Sequence, residues 1–400
     1  MDNILRGKNI LLGITGGIAA YKAADLTSKL IRLGAKVKVI MTPSATKFVH
    51  PLTFQSLTEN RVYLDVFGAT ETYEIGHISL AKWADLFVIA PATANIIGKA
   101  AAGIADDLLS TTMLSMEAKT VFAPAMNTVM YGKPVLQDNI KKLKEWGFGF
   151  IPPGKGRLAC GDWGEGKLAD VGIIIQHIEY HLSSKKDMEG LKVLVTAGPT
   201  HEAIDPVRYI TNPSSGKMGY SIAASCIMRG AEVDLVTGPT NLEPPINARV
   251  YKTDSAIDMY NTVLKIFDRV DMVFMTAAVA DYRVKETASK KIKKTDDSLI
   301  LELVRNPDIL RELGKRKRRQ VLIGFAAETH DLENHAIGKL ESKNLDFILG
   351  NDVSSDESGF GSDLNRGVLF IRGEGSVPIP MMNKKEFAHR IIDEVMKRIR

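Results

Sequence analysis

Short apolar runs, each closed by glycine or proline and separated by amphipathic stretches, set the rhythm of this 400-residue sequence. Near the start NILLGI reads as a strand, GGIAAYKAADLTSKLIRLGA turns on its glycines into a helical period, and KVKVIM returns to a strand. The plan recurs from Leu191, where LKVLVTAGPT is followed, after a long insert, by GYSIAASCIMRGAEVDLVTGPT. Each half adds a third strand, ADLFVIAPATAN in the first and DMVFMTAAVADY in the second. Runs that are apolar on both faces belong to parallel strands with helices above and below. Strands alternating with helices imply right-handed βαβ units, so the expected fold is α/β, two domains each built on a doubly wound parallel sheet.

The stretch HLSSKKDMEG has no apolar period, and residues 183–190 within it are read as the linker between a domain over 1–182 and a domain over 191–400. Asn351 to Asn365, NDVSSDESGFGSDLN, is longer than a simple connection needs and reads as a functional or mobile loop. The chain then closes with VLFIR as a strand and KKEFAHRIIDEVMKRI as an amphipathic helix.

Composition narrows the class. Hydrophobic residues at 45% and charged residues at 25% are those of a globular protein with ample core. No segment sustains the roughly 18 apolar residues of a membrane span, and the apolar stretch in MDNILRGKNILLG is short and lacks a cleavage site, so a cytoplasmic enzyme without membrane contact is expected. A net charge of +5 suits anionic small molecules and does not argue for nucleic acid. Two cysteines exclude a disulfide scaffold. Cys226 falls on the apolar face of a helix, as core; Cys160 lies in GKGRLACGDWGEGKLAD, the sequence of a glycine-hinged surface flap that could donate a proton over a site.

Ligands of open α/β sheets bind beyond the carboxyl ends of the strands, which directs attention to the turns there. The first turn, Gly13-Ile-Thr-Gly16-Gly17, lacks G-x-G-x-x-G spacing, which disfavours a nicotinamide dehydrogenase, yet its N–H groups suit a single phosphate. Thr42, Ser44 and Thr46, then Pro91-Ala-Thr-Ala-Asn95, are small polar groups that let a flat ring and a ribityl phosphate approach. Flavin mononucleotide fits them better than a nucleoside triphosphate, because no lysine follows the glycines. Strand-end Gly, Ser and Thr are also ordinary turn formers. His77, in EIGHISLAKWADLF, reads by itself as a capping or packed imidazole, and Asn127, in FAPAMNTVMYGKP, as an amide able to grip a carboxylate. In the second half SSGKMG lacks Walker spacing, KIKK and KRKRR read as solvated charge, and the His177/His181 pair lacks H-E-x-x-H order, so P-loop and zinc readings are dropped.

GITGGIAAYK, the G-H-I-S around His77, APATANIIGK with GIADDLLS, and P-A-M-N-x-x-M resemble the flavin-containing cysteine decarboxylases. GPTHEAIDPVRYITNPSSGKMG, TAAVADYR, KIKK, NPDIL and GFAAET resemble the phosphopantothenate–cysteine ligases. In that order, over nearly the whole chain, they resemble the bifunctional coenzyme A biosynthesis family, with flavodoxin-like/Rossmann-like sheets in both halves. The resemblance implies FMN against Gly16, Gly17, Ser44, Thr93, Asn95 and Ser110. It makes His77 the active-site histidine, Asn127 the holder of the substrate carboxylate, and Cys160 the proton donor to the product. FMN oxidises the thiol side of the substrate, which supplies the electron sink that loss of CO2 requires.

For the second half, the resemblance implies ligation of 4'-phosphopantothenate with L-cysteine through an acyl-cytidylate formed from CTP, with Mg2+ (or Mn2+). Lys291 would be the essential lysine, Asn212 would serve the acyl intermediate, and Arg208 the substrate. Asp281, Asn306, Pro307, Asp308, Ile309, Phe325, Lys339 and Lys343 would join Lys291 in nucleotide binding. Homo-oligomers, trimeric through the flavin half and dimeric through the ligase half, are implied as well. The family commonly carries Trp where Tyr131 stands, Ser within the GGIAA turn, and Arg where His201 stands. A flavodoxin-like regulatory flavoprotein or other flavin oxidoreductase is the alternative; a regulatory protein would lack one of His77, Asn127, Cys160 or Lys291, and all four are present.

Overall fold

The computed structural model describes residues 4–67, 76–158, 161–293, 299–328, 332–352 and 362–399. They form two compact units, Met1–Ser184 and Lys185–Arg400. In the first, strands β1 (Asn9–Ile14), β2 (Lys36–Met41), β3 (Val62–Tyr63), β4 (Leu86–Ala92), β5 (Thr120–Pro124) and β6 (Gly149–Phe150) pair in parallel in the order β3-β2-β1-β4-β5-β6. The helices are α1 (Lys22–Arg32), α2 (Pro51–Thr58), α3 (Gly76–Trp83), α4 (Ala94–Ala102), α5 (Leu108–Leu114), α6 (Thr128–Tyr131), α7 (Pro134–Glu145) and α8 (Val171–Leu182). Side chains alternate across each strand. Leu12, Ile14, Val88 and Ala90 pack with Leu26 and Leu30 of α1 and Ile174 and Ile178 of α8. Leu11, Phe87 and Ile89 pack on the other face with Ile96 of α4, Leu109 of α5 and Ile140 of α7. Both faces are dry, which is why the strands read as unbroken apolar runs. Strands β7 (Gly154–Arg157) and β8 (Trp163–Lys167) form a separate antiparallel hairpin.

The second unit repeats the strand order. Strands β9 (Lys192–Ala197), β12 (Glu232–Thr237), β13 (Arg249–Lys252), β14 (Met272–Met275), β17 (Val321–Glu328) and β18 (Phe347–Asp352) run β13-β12-β9-β14-β17-β18 in parallel. Hairpins β10 (His201–Ala203) with β11 (Tyr209–Thr211) and β15 (Tyr282–Val284) with β16 (Leu303–Arg305) stand apart from the sheet. The helices are α9 (Lys217–Met228), α10 (Ala256–Phe267), α11 (Ile309–Arg316), α12 (Leu332–Ser342) and α13 (Lys384–Met396). Val263 and Ile266 of α10, Leu313 of α11 and Ala336 of α12 cover Leu194, Val273 and Leu322. Cys226 is fully buried in α9, and burial pushes its thiol up to about 12, as expected of a core residue. The sheet differs from a purely parallel one at one edge. β19 (Leu364–Ile371) pairs antiparallel with β18, and β20 (Gly375–Asn383) pairs antiparallel with β19, the short turn between these last two returning the chain alongside itself. Most of the loop read between Asn351 and Asn365 lies outside the described residues.

Residues 185–190, expected to be linker, are instead part of the second unit. Met188 is fully buried and its N–H donates to the Arg229 carbonyl (3.0 Å). The Arg229 side chain is 2% exposed, with Nε on Asp187 Oδ1 (2.7 Å) and Nη1 on Asp393 Oδ1 of α13 (2.7 Å). Burial works against the charge on Arg229, and the carboxylates of Asp187 and Asp393 more than offset it, so its pKa is raised. A single methionine among charges has no periodicity to reveal it, and those charges are the partners of a buried cation.

Two expectations follow. Asp187→Ala leaves Arg229 short of a partner and should lower the unfolding free energy of the second unit by about 3–5 kcal/mol in denaturant titration, leaving the first unit's transition in place. His177 is buried in α8, and burial lowers its pKa from 6.5 to about 4. The unfolded chain therefore takes up this proton first, and stability of the first unit should decline as pH falls from 6.5 towards 4; melting curves of His177→Gln should show a shallower decline.

Candidate active sites

In the first unit the strand order reverses between β1 and β4, and their carboxyl ends open the crevice where α/β sheets bind ligands. Three turns meet there. A Cβ on Gly16 would fall on the Ser44 side chain and 2.8 Å from its carbonyl carbon, so only glycine lets the turns after β1 and β2 touch. The buried Thr15 hydroxyl donates to the Pro91 carbonyl (2.7 Å) and accepts from the Thr93 N–H (3.1 Å), fastening the turn after β4 to the same place. Gly17 faces Thr93, whose side chain does not cap α4, and Asn95 is exposed in the first turn of that helix. Small groups, glycine backbone and an open helix N-terminus form a cradle that fits a flat ring with one phosphate. Ser110 does not join it: the residue is fully buried, and its hydroxyl and N–H close a capping box with Asp107 at the start of α5.

Asn127 caps α6, accepting from the Val129 N–H (2.8 Å), and its Nδ2 donates to Asp162 Oδ2 (3.0 Å) just before β8. The Met126 N–H donates to the Gly166 carbonyl (2.9 Å) in β8. The β7–β8 hairpin is thus docked on the Asn127 turn. Cys160 falls in the connection between its strands and lies outside the described residues. His77 is half-buried in the first turn of α3. α3 feeds β4, and the carbonyl of its last residue, Trp83, accepts from Asn9 Nδ2 (2.9 Å) at the start of β1. Tyr131 packs at the rim of the core formed with α4, α5 and α7.

In the second unit a cleft of about 550 Å³ opens where the order reverses between β9 and β14. It is lined by Asp281, by Asn306, Pro307, Asp308 and Ile309, by Phe325, and by Lys339 and Lys343 of the α12 segment. Asn212 lines it as well, held by Nδ2 bonds to the Ala278 (3.3 Å) and Val279 (3.2 Å) carbonyls after β14. Asn306 donates to the Ala280 carbonyl (2.9 Å) and its N–H to that of Asp281 (2.8 Å), closing the wall. Lys343 pairs with Asp308 (2.9 Å), which also caps α11. α9 enters the cleft at Gly216–Gly219 with no side-chain cap. A Cβ on Gly219 would come within 2.6 Å of the Ala197 Cβ, so glycine is what allows α9 to press against the end of β9.

Two expected residues stand elsewhere. Lys291 is exposed and outside the cleft lining. Arg208 is outside it too, because its guanidinium is engaged by buried Asp205 (Nε to Oδ2, 3.1 Å) and by the Ile292 carbonyl (3.0 Å). His201 stacks on Tyr209 with ring centroids 3.8 Å apart, a hairpin contact away from the cleft. Conversely, Ser214, Ser215, Lys217 and Lys384 line the cleft and were not expected. Lys217 pairs with Asp363 (2.7 Å), while burial and then the charge of Lys217 lower the pKa of Lys384. SSGKMG was visible as a failed P-loop; Lys384 had one sequence signal, a lysine in the first turn of a helix, where the dipole disfavours positive charge.

A family model for flavoproteins matches residues 2–183, and one for the C-terminal domain of DNA/pantothenate metabolism flavoproteins matches residues 188–399. The chain thus joins a flavoprotein domain to the domain that follows it in that family. The coenzyme A biosynthesis bifunctional protein CoaBC of Bacillus subtilis (strain 168) is 48% identical over 395 residues, spanning 98% of this chain and 97% of that protein. The protein of the same name from Haemophilus influenzae is 44% identical over 395 residues, spanning 98% of each. A crystal structure of the C-terminal domain of a CoaBC protein, 41% identical, covers 53% of this chain and 97% of its own, with a TM-score of 0.46. The chain belongs to the CoaBC family of bifunctional coenzyme A biosynthesis proteins.

Closeness of the turns makes the cradle sensitive to one methyl group. Gly16→Ala should force Ser44 and its backbone apart and cost about 1–3 kcal/mol in the first unit, read by calorimetry against the unchanged second unit.

Proposed function

We propose that this chain catalyses two consecutive steps of coenzyme A biosynthesis: CTP-dependent ligation of 4'-phosphopantothenate with L-cysteine in the second unit, and FMN-dependent decarboxylation of the product to 4'-phosphopantetheine in the first. Residues 191–400 carry the ligase and 1–182 the decarboxylase. The observation that carries the reading is the second unit's cleft, which gathers Asn212 and every expected nucleotide position except Lys291 at one switch point.

In the ligase, a substrate carboxylate attacks the α-phosphate of CTP, pyrophosphate leaves, and the cysteine amine then displaces CMP from the acyl-cytidylate. Asn212, anchored on the turn after β14, orients the acyl group. Lys217, Lys339, Lys343 and Lys384 line the cleft and offset phosphate charge. Among the described residues no group of three or more His, Cys, Asp or Glu side chains could hold a metal ion. Mg2+ (or Mn2+) accompanies CTP, where it would offset triphosphate charge.

In the decarboxylase, the cradle of Gly16, Gly17, Ser44, Thr93 and Asn95 holds FMN, whose chemistry when bound is reversible oxidation of the substrate's thiol-bearing carbon. Asn127, positioned by its bond to Asp162, holds the substrate carboxylate through its amide. His77 serves as the active-site histidine, and Cys160 returns a proton to the enethiolate after CO2 leaves. The protein works in the cytoplasm as a homo-oligomer, trimeric through the flavin half and dimeric through the ligase half. Among the described residues no helix is long and apolar enough to cross a membrane.

Purified protein should show a yellow flavin spectrum, and a colourless preparation that takes up no added FMN would sink the cofactor assignment. Given phosphopantothenate, cysteine and CTP, it should release CMP, pyrophosphate and CO2. Cys160→Ser should stop formation of 4'-phosphopantetheine while CMP release survives, and Lys291→Gln should abolish CMP release while decarboxylation of supplied phosphopantothenoylcysteine survives.

A further inference from the structure

The backbone beside Lys291 is gripped from outside the cleft, and we infer that Asp205 is a positioning residue for ligation, acting through Lys291. The inference rests on the reading that Lys291 works in that step. The Asp205 side chain is wholly buried. Its Oδ1 accepts from the N–H groups of Val207 (2.8 Å) and Arg208 (2.9 Å), which an ordinary aspartate turn would account for. Its Oδ2 does something a local turn does not need: it accepts from Arg208 Nε (3.1 Å) and from the N–H of Ile292 (3.1 Å), far along the chain.

Arg208 closes the ring, donating from Nη2 to the Ile292 carbonyl (3.0 Å). Both backbone polar groups of the residue following Lys291 are therefore held by one ion pair, whose carboxylate is buried and whose guanidinium is exposed. The Arg208 partnership, and the N–H donors after it, hold the Asp205 carboxyl well below the usual carboxylate range, so the grip is charged at neutral pH. Upstream, the Ala288 N–H donates to the Ile204 carbonyl (3.0 Å) and the Thr287 hydroxyl to that of Ala203 (3.2 Å), tying the same segment to the β10–β11 hairpin. Lys291 is itself exposed, so its own packing does not orient it; what is fixed is the peptide that carries it.

A lysine on a free loop samples many placements, and one on a clamped peptide samples few. Misplacement of a working group by about 1 Å can cost about 10²-fold in rate. Asp205 thus sets the turnover of the ligase without touching substrate, and Arg208 is its partner in the clamp.

The test uses the full chain. Asp205→Asn keeps the side-chain shape but removes the charge. Ile292→Pro removes the gripped N–H and leaves Asp205 intact, so it reports on the clamp even where the aspartate variant fails to fold. Both should lower kcat for CMP release by about 10²-fold with KM for CTP within about twofold and leave decarboxylation of supplied phosphopantothenoylcysteine unchanged, and Asp205→Asn, which keeps a cleavable bond after Lys291, should speed trypsin cleavage there relative to cleavage elsewhere. Either variant combined with Lys291→Gln should be no slower than Lys291→Gln alone. Full ligation by both variants, unchanged cleavage after Lys291 in Asp205→Asn, or losses that multiply with Lys291→Gln would each overturn the role of Asp205 while leaving the proposed function standing. Full ligation by Lys291→Gln would overturn the assignment of Lys291 itself, and this inference with it.

Discussion

Burial of parallel strands on both faces is the constraint on which both halves of this protein depend. A parallel sheet cannot leave a face wet, so helices must cross over each side. Right-handed crossovers from a central strand in both directions then leave a crevice at the carboxyl edge, between β1 and β4 in one unit and between β9 and β14 in the other. The apolar alternation that packs Leu12 against α1 and Leu11 against α5 is thus also what opens the place where chemistry is done.

At those crevices the two units solve different problems. The first brings backbones into contact: Gly16 against Ser44, with the Thr15 hydroxyl bridging two turns, leaves a shallow cradle of small groups. The second needs to meet several negative charges and places lysines from distant segments around an open cleft, two of them, Lys217 and Lys384, close enough for one to depress the other's pKa. Carboxylates temper that charge at Asp308 and Asp363. The buried Arg229, by contrast, is structural: it fastens residues 185–188 to α9 and α13 and has no part in the cleft.

Much of the site was legible because the chemistry sits in contiguous turns. GITGG and APATAN each follow a strand of the main sheet directly, so a strand reading alone puts them at the right edge; the Asn212 motif and NPDI follow hairpin strands apart from the sheet and were legible as motifs only. Lys384 was not legible in this way, since it reaches the cleft from the far end of the chain on a helix with an ordinary amphipathic face. Ser110 and Arg208 are held in ways the motifs do not reveal. Their motifs are present, but the hydroxyl of one is absorbed by a capping box and the guanidinium of the other by buried Asp205. Hydrogen-bond competition of that kind has no periodicity to betray it.

The order of strands and helices, the two-unit plan and the strand-end turns were determined by the sequence itself, because apolar period and glycine placement are local and the rules joining parallel strands admit few topologies. Three things were decided only by tertiary structure. The antiparallel edge of β19 and β20 depended on pairing partners, the capture of residues 185–190 on a buried arginine more than forty positions away, and the grip on Ile292 on an aspartate eighty-seven positions away. Each is a contact between residues remote in sequence, whose energy depends on burial that no local pattern encodes.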